Sequence, residues 1–110
     1  RDNKNEIMKA VYLDAKNRII KTSDIASGTP SSARPSIREI ISQGLQCFAA
    51  NLICLHNHPS GDPAPGREDR EFTEELTKAG KIVDLLLLEH IIFGAETYFS
   101  FDKNETKEYA

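Results

Sequence analysis

The sequence contains no tryptophan, one methionine and only two cysteines, Cys47 and Cys54, which both lie in apolar segments. So few cysteines exclude a disulfide-rich secreted scaffold and predict a reducing, cytoplasmic location. Long apolar runs are also missing: Leu85 to Leu88 falls far short of the ~20 residues that a membrane span needs, so no membrane association is expected. The charged start of the chain, Arg1 to Glu6, lacks the apolar core of a secretory signal.

An excess of charge of one sign is missing as well. The 14 Lys and Arg residues oppose 17 Asp and Glu residues, which gives a net charge of −3. This balance excludes a strongly basic nucleic-acid module, although it leaves room for a local basic patch. With 28% charged and 39% hydrophobic residues, the composition is typical of a folded globular protein. A length of 110 residues predicts a single domain over residues 1–110 with one modest core.

The first half of the chain predicts a hairpin, a loop and a helix. Strand propensity predicts a strand at Ile7 to Leu13, a polar turn at Asp14 to Arg18 and a returning strand that begins at Ile19. Ser27 to Pro35 is rich in Gly, Ser and Pro, which predicts a loop. Ser36 and Glu39 have the spacing of a helical capping box. The apolar residues that follow at helical spacing predict one buried helix face: Ile37, Ile40, Ile41, Leu45 and Phe48.

The second half predicts a further helix between buried strands. Leu52 to Leu55 is a continuous apolar run, typical of a strand buried on both faces. A Pro- and Gly-rich loop, Pro59 to Gly66, precedes a helix that we expect to begin at Arg67. Its inner face would carry Phe72, Leu76 and Ala79, and Gly80 would end it. The remaining predictions are a buried strand at Val83 to Leu88, which Ile91 to Phe93 continues or restarts, an edge strand at Tyr98 to Phe101 and a frayed polar tail. The order β-β-α-β-α-β-β predicts an α/β fold, a mixed sheet flanked by helices.

Two of the three histidines, His56 and His58, lie two residues apart at the end of a predicted strand. Side chains at this spacing point to the same face of a strand, so both imidazoles can converge on one point. Asp69, in the first turn of the next predicted helix, can reach the same point. Two imidazoles and a carboxylate with one open position describe a catalytic zinc site.

The local pattern alone also fits a structural interpretation. A strand end can carry two surface histidines, and the helix dipole favours Asp69 in a first turn without any metal. Asp62, between Gly61 and Pro63, is an ordinary turn residue. The spacing of these residues therefore leaves both a metal site and a plain surface open.

The sequence of this segment, HNHPSGDPAPGRED, resembles that of the RadC-like branch of the bacterial JAMM (MPN+, JAB-domain) metalloprotease-like proteins. The JAMM motif is matched by H-x-H, seven residues, a Ser position, two residues and Asp. Flanking segments agree with the resemblance over about Glu6 to Phe101: EIMKAVYLD, NRII, Gly28-Thr29, Arg38-Glu39-Ile40 and His90-Ile91-Ile92. The resemblance implies a JAMM/MPN fold, which is related to that of the cytidine deaminases. It also implies a C-terminal domain of a longer protein, because family members usually carry a helical region ahead of this one.

The resemblance implies a zinc ion held by His56, His58 and Asp69, with Glu6 as the general acid/base. Without the family, Glu6 would be a solvated charge in front of a strand. Gly66 stands where the motif has Ser, the residue that helps to stabilise the oxyanion in active JAMM proteases. Because losing an oxyanion donor typically costs about 10²–10³ in rate, we expect the metal site to be kept and peptidase activity to be weak. Ser60 is a nearby hydroxyl, but nothing assigns it the missing role.

Other polar residues have an ordinary structural interpretation beside a functional one. His90, in an apolar strand, is expected to be a core histidine hydrogen-bonded to backbone; the alternative is an outer-shell partner of the zinc site, oriented by Glu89. Cys54 shares the strand parity of His56 but is expected to be a buried apolar residue rather than a thiolate ligand. Arg67 and Arg70 are expected to be solvated helix residues, with binding of a substrate carboxylate or phosphate as the alternative.

The predicted function is a zinc-dependent hydrolase domain that uses an activated water to break an amide bond in a peptide or protein substrate. The alternative is a non-catalytic protein- or DNA-binding module, because the family has been associated with DNA repair. No basic stripe supports DNA binding directly. A zinc deaminase would need H-x-E and P-C-x-x-C, and the sequence has neither. The sequence does not fix the substrate or the oligomeric state.

Overall fold

A computed structural model describes residues 6–25, 27–29 and 32–110. The described part contains two helices, α1 Ile37–Gln46 and α2 Arg67–Ile82. The strands in chain order are β1 Met8–Leu13, β2 Ile19–Ile25, β3 Ser27–Thr29, β4 Ser32–Pro35, β5 Asn51–Asn57, β6 Leu86–Phe93, β7 Thr97–Ser100 and β8 Glu105–Glu108.

Six strands form one sheet in the order β2-β1-β5-β6-β7-β8. β5 and β6 run parallel, and each of the other neighbouring pairs is antiparallel. The parallel pair needs a crossover, and α2 supplies it. The predicted α/β fold with a mixed sheet and helices is therefore confirmed, as is the β1–β2 hairpin.

Both helices pack on one face of this sheet. The core cluster joins that face to the helices and contains Met8, Ala10, Tyr12, Ile25, Ile40, Leu52, Cys54, Phe72, Leu76 and Leu85. Tyr12 fixes α1 to β1, because its hydroxyl donates to the Ile40 carbonyl at 2.8 Å. Ser36 caps α1 as predicted, since its hydroxyl accepts from the Glu39 N–H at 3.1 Å. Ile53 and Leu55, on the other face of β5, are only half-buried, so the prediction of burial on both faces is wrong.

Two glycines permit the close packing of the helices. A Cβ at Gly44 would lie 2.6 Å from a methyl carbon of Leu85 and 3.2 Å from the Tyr12 ring. A Cβ at Gly80 would lie 2.1 Å from the carbonyl oxygen of Leu85. Gly80 is therefore not the predicted end of α2, which continues to Ile82; it lets the chain turn back tightly into β6.

The predicted loop at Ser27 to Pro35 contains two short strands instead. β3 and β4 pair antiparallel, with Ser27 opposite Pro35 and Thr29 opposite Ser32. Composition predicted the loop because Gly and Pro are poor strand formers, but backbone pairing between the two segments overrides that preference. The two residues between these strands, numbers 30 and 31, lie outside the described residues.

The buried face predicted for α1 is too long at its end. The helix ends at Gln46, and Phe48, with φ of 56°, is 89% exposed. Leu45 is also exposed, whereas Gly44 is buried against β1. Helical spacing could not reveal that the helix ends two residues before the last apolar residue of the pattern.

The C-terminal predictions need three corrections. β6 begins at Leu86 rather than at Val83, after a turn in which Asp84 has φ of 59°, and Ile91 to Phe93 continues it. β7 is an interior strand rather than an edge, because β8 pairs alongside it. The tail predicted to fray therefore forms β8, whose four residues are all exposed. Its charged residues blunt the exposed edge of the sheet.

An irregularity in β6 determines which of its side chains face the helices. Leu52 pairs with Leu87 but Ile53 pairs with Glu89, so Leu88 is an extra residue in β6. This bulge shifts the alternation of β6 and places His90 beside Cys54, on the helix-covered face.

Neither helix of the described chain is long and apolar enough to cross a membrane.

Replacing Gly80 with Ala tests the close turn at the end of α2. We expect G80A to lower the free energy of unfolding, because a steric cost of about 1–3 kcal/mol exceeds the gain of about 0.5–1 kcal/mol that Ala brings to a helix. Urea denaturation measures the difference. K78A, an exposed site in the same helix, serves as the control and should change stability by less than about 0.5 kcal/mol. Equal stability of G80A and the wild type would show that the turn relaxes freely.

Candidate metal centre

The candidate site forms where β5 leaves the sheet. His56 lies on the helix-covered face of β5, and His58 follows directly after the strand, where its N–H donates to the Phe93 carbonyl at 3.0 Å. The two rings meet edge to face with centroids 5.1 Å apart. The expectation that both imidazoles converge is confirmed.

The loop after His58 determines the tautomer of this residue. Its Nδ1 lies 2.9 Å from the carbonyl oxygen of Asp62. A carbonyl only accepts, so Nδ1 carries the proton and the lone pair of a neutral ring is on Nε2. The loop holds Asp62 through short turns, in which the Asp62 N–H donates to the Ser60 hydroxyl and the Ala64 N–H donates to the Asp62 carboxylate.

Asp69 faces both imidazoles from the first turn of α2. Its Oδ2 lies 3.1 Å from His58 Nε2, and its Oδ1 lies 3.6 Å from His56 Nδ1. Oδ2 also accepts from the N–H of Gly66, the N-cap of the helix, at 2.7 Å. The helix cap therefore orients the carboxylate toward the histidines.

Glu6 completes the cluster from the segment that precedes β1. In the antiparallel β1–β5 register Met8 is opposite His56, so the chain ahead of β1 runs past the end of β5. Glu6 Oε1 lies 2.9 Å from His56 Nε2, and the Glu6 side chain is 41% exposed whereas that of His56 is 4% exposed. Glu6, His56 and His58 can offer ligand atoms that all lie within 4.8 Å of one another.

The chemistry of this cluster fits a cation. Both oxygens of each carboxylate only accept hydrogen bonds when ionised, and they face ring nitrogens of His56 and His58. Nδ1 of His56 is buried and has no hydrogen-bond partner among the described residues. Ligand atoms around a tetrahedral zinc ion lie about 3.4 Å apart, given Zn–N and Zn–O distances near 2.0–2.1 Å. The contacts of 2.9, 3.1 and 3.6 Å bracket that spacing.

The arrangement supports two ligand sets. The resemblance implies His56, His58 and Asp69, whereas the ligand atoms that all lie within 4.8 Å of one another belong to Glu6, His56 and His58. The two sets use different ring nitrogens of His56, because Nε2 is turned to Glu6 and Nδ1 to Asp69. The assignment of Asp69 as ligand and Glu6 as acid/base stays a prediction.

The cluster lies in a cleft of about 520 Å³, which is within the usual range for small-ligand sites. Besides the site residues, its walls include Arg34, Ser60 and Phe72. Arg34 was not singled out from the sequence; it pairs with Glu75 of α2 at 2.9 Å. Only the fold reveals it, because β4 carries it across to the cleft.

Three other sequence candidates adopt ordinary structural roles. Cys54 is fully buried in the core, and burial raises the pKa of its thiol to about 12, so it is not a thiolate at neutral pH. Arg67 is exposed at the rim of the cleft and pairs with Glu71 one turn along α2. The Arg70 guanidinium lies 5.7 Å from the centre of the Phe99 ring.

His90 lies behind the cluster rather than in the cleft. Its ring stacks against that of His56 with centroids 5.6 Å apart, and its Nδ1 lies 2.7 Å from the Thr73 hydroxyl. The expected hydrogen bond of the ring to backbone is therefore wrong. Glu89 accepts from the backbone N–H of His90 and does not contact the ring. Burial lowers the pKa of His90 to about 3, and the nearby imidazoles of His56 and His58 add to this shift.

Comparison with known proteins agrees with these features. The model of the RadC-like JAB domain family matches residues 1–107. A UPF0758 protein of Trichlorobacter lovleyi is 44% identical over 101 residues, which are 92% of this chain and 44% of that protein. A UPF0758 protein of Clostridioides difficile is 43% identical over 101 residues, with 92% and 43% covered, and one of Methanococcoides burtonii is 44% identical over 100 residues, with 91% and 44% covered.

The chain thus spans less than half the length of these curated relatives. The family match covers all the site residues, from Glu6 through the HNH segment to Asp69 and His90. The resemblance carried by the sequence motif is confirmed: the chain belongs to the RadC-like JAB domain family.

Proposed function

We propose that this domain is a zinc-dependent hydrolase that cleaves an amide bond of a peptide or isopeptide. The observation that carries the proposal is the convergence of two imidazoles, one of them buried, and two carboxylates in one cleft, where ring nitrogens face atoms that only accept hydrogen bonds. A divalent cation would bind one nitrogen of each ring and balance the negative charge of the carboxylates. Zinc fits this donor set, because nitrogen and oxygen ligands from three residues with an open position are typical of catalytic zinc sites.

His56, His58 and Asp69 would hold the ion in this proposal. Hydrogen bonds to the backbone already orient two of them: His58 Nδ1 is engaged by the Asp62 carbonyl, and Asp69 Oδ2 by the Gly66 N–H. Such outer contacts fix tautomer and direction before the ion arrives. The bound ion would supply a water of lowered pKa and polarise the carbonyl of the substrate.

Glu6 would move the proton. Its carboxylate is at the open side of the cluster and partly exposed, so it can reach both the attacking water and a substrate. It would accept one proton from the water as the oxygen attacks the carbonyl carbon, and return that proton to the amine as the C–N bond breaks. The products are a carboxylate and a free amine, so the reaction consumes one water and no other reactant.

Gly66 would limit the rate. As the N-cap of α2 it offers a backbone N–H, which Asp69 occupies, and no hydroxyl to the carbonyl oxygen of a substrate. The expected deficit is about 10²–10³ in turnover.

Two free cysteines, one of them buried, agree with the cytoplasmic location predicted from the sequence.

The alternative from the sequence analysis, a non-catalytic protein- or DNA-binding module, would keep the same cleft without turnover. Metal-loaded protein that hydrolyses none of a panel of peptide and isopeptide substrates would favour it over the hydrolase. Salt-dependent affinity for duplex and single-stranded DNA then separates its two forms, because DNA binding weakens steeply with salt.

Metal content tests the site directly. We expect one zinc per chain by elemental analysis, and D69N should weaken zinc affinity at least as much as the ~10–100-fold that loss of an outer-shell partner typically costs. E68Q is the matched control, because Glu68 lies beside Asp69 on the wall of the cleft and is exposed. Equal zinc affinity in D69N and E68Q would remove Asp69 from the ligand set.

The role of Glu6 is tested by E6Q, which keeps the shape of the side chain and removes its basicity. If Glu6 carries the proton, E6Q retains zinc and loses amide hydrolysis by about 10²–10⁴-fold. Turnover of the peptide panel and zinc content are measured on the same sample. Loss of zinc from E6Q would instead make Glu6 a ligand, in agreement with its place in the tight cluster.

Restoring the motif serine tests the explanation for weak activity. A Cβ at Gly66 would meet nothing closer than Asp69 Oδ2 at 3.6 Å, and φ of −84° suits any residue. G66S should therefore fold with a stability within a few tenths of a kcal/mol of the wild type and hydrolyse amides up to about 10²-fold faster. G66A, which adds the carbon without the hydroxyl, controls for backbone effects. Equal rates in G66S and G66A would contradict the oxyanion explanation.

A further inference from the structure

We propose that His90 and Thr73 form a positioning pair that fixes the ring of His56 and the first turn of α2, and that metal affinity depends on it. The inference rests on the proposed metal site and deepens it. Neither residue lines the cleft, so neither would touch a substrate.

Thr73 joins α2 to β6 through two hydrogen bonds in which the donor and the acceptor can be assigned. Its hydroxyl lies 2.8 Å from the carbonyl oxygen of Asp69, one turn earlier in the helix, and this carbonyl can only accept. The single hydroxyl proton therefore goes to Asp69. The second contact of the hydroxyl, with His90 Nδ1 at 2.7 Å, must then be donated by the ring. His90 is thereby fixed as the Nδ1–H tautomer.

The ring of His90 is held from its aromatic faces as well. Phe101 stacks on it nearly parallel, with centroids 4.6 Å apart and planes 8° apart, and His56 stacks on it with planes 27° apart. Phe101 is itself held in place, because its N–H donates to the His90 carbonyl at 3.0 Å. Glu89 accepts from the N–H of Asp102 and from the Ser100 hydroxyl, which ties the turn around Phe101 to β6.

The consequence for the site is mechanical. Nδ1 of His56 has no hydrogen-bond partner among the described residues, since Asp69 Oδ1 is 3.6 Å away, so no hydrogen bond on that side fixes the ring. Stacking on His90 restricts its rotation instead. The same pair anchors the backbone carbonyl of Asp69, whose carboxylate faces His56 and His58. The Thr73 hydroxyl thus links His90, whose ring stacks on His56, to the backbone of Asp69.

The test compares two threonines on the same helix. Thr77 donates to the Thr73 carbonyl at 2.8 Å, the same bond one turn later, whereas the hydroxyl paired with His90 Nδ1 is that of Thr73. T73V and T77V each remove one such bond, and only T73V also removes the acceptor of His90. T73S restores the hydroxyl. The metal used is Co²⁺, because its visible absorption reports ligand geometry, and its affinity is measured by chelator competition.

We expect T73V to bind Co²⁺ about 10–100-fold more weakly than the wild type, as is typical when an outer-shell partner is lost, and with an altered visible spectrum. T77V and T73S should match the wild type in both measurements. The tautomer is checked without metal: ring ¹⁵N shifts of the wild-type protein should identify His90 as Nδ1–H, and the Nε2–H form would overturn the proposal.

The outcomes separate the positioning role from the proposed function. Equal Co²⁺ affinity and spectra in T73V and T77V, with a wild type that binds the metal, would overturn the positioning pair alone. A wild type that binds neither Co²⁺ nor Zn²⁺ would overturn the proposed function and the positioning role together. If T73V fails to fold, H90F replaces it, since Phe keeps the stacked ring and removes the Nδ1 donor; wild-type affinity in H90F would overturn the hydrogen-bonded link.

Discussion

The contact between acceptor-only carboxylate oxygens and histidine nitrogens is the constraint on which the site depends. His58 donates from Nδ1 to a carbonyl, so its Nε2 faces Asp69 with a lone pair unless a proton or a cation intervenes. Burying such a pair without a positive charge is unfavourable. A divalent ion resolves this for both histidines at once, whereas protonation would place two positive rings with centroids 5.1 Å apart in a poorly solvated space.

The register of the strands brings the residues of the site together. Met8 is opposite His56 in the antiparallel β1–β5 pair, and Ile92 is beside His56 in the parallel β5–β6 pair. A slip of one residue would turn His56 to the other face, away from α2 and Asp69. The register is strongly specified, because the helix-covered face of β5 carries fully buried Leu52 and Cys54 whereas the opposite face is half-buried. The apolar core therefore determines where the polar cluster forms.

The sequence predicted the parts of the site that lie close together in the chain. The spacing of His56 and His58 on a strand end and the position of Asp69 in a first helical turn follow from the periods of strand and helix. Glu6 lies fifty residues away from His56, and only the family motif singled it out. His90 was placed correctly in β6, but its orientation depends on the bulge at Leu88, which the uniform run of leucines does not reveal. The Thr73 contact depends on that bulge as well.

The errors in the predicted fold have a common physical origin. β8 and the β3–β4 pair form through backbone pairing with a neighbouring strand, and α1 ends in a turn closed by backbone hydrogen bonds, while composition reports the preference of single residues only. Polar residues from Glu105 to Glu108 form a strand because β7 offers unpaired backbone groups beside them. A segment without apolar alternation gives no periodic signal, so pairing of this kind is invisible in a single sequence.

Under the proposed function, Gly66 would separate metal binding from catalysis. The backbone N–H at the N-cap orients Asp69, and this bond needs no side chain. The hydroxyl that the motif places at the same position would serve the substrate and not the ligand. Loss of the side chain therefore leaves the carboxylate aimed at the histidines and removes only a donor to the developing oxyanion. Because Gly is nearly as good an N-cap as Ser, stability would not select against the change, and a domain of this kind can keep its metal while its rate falls.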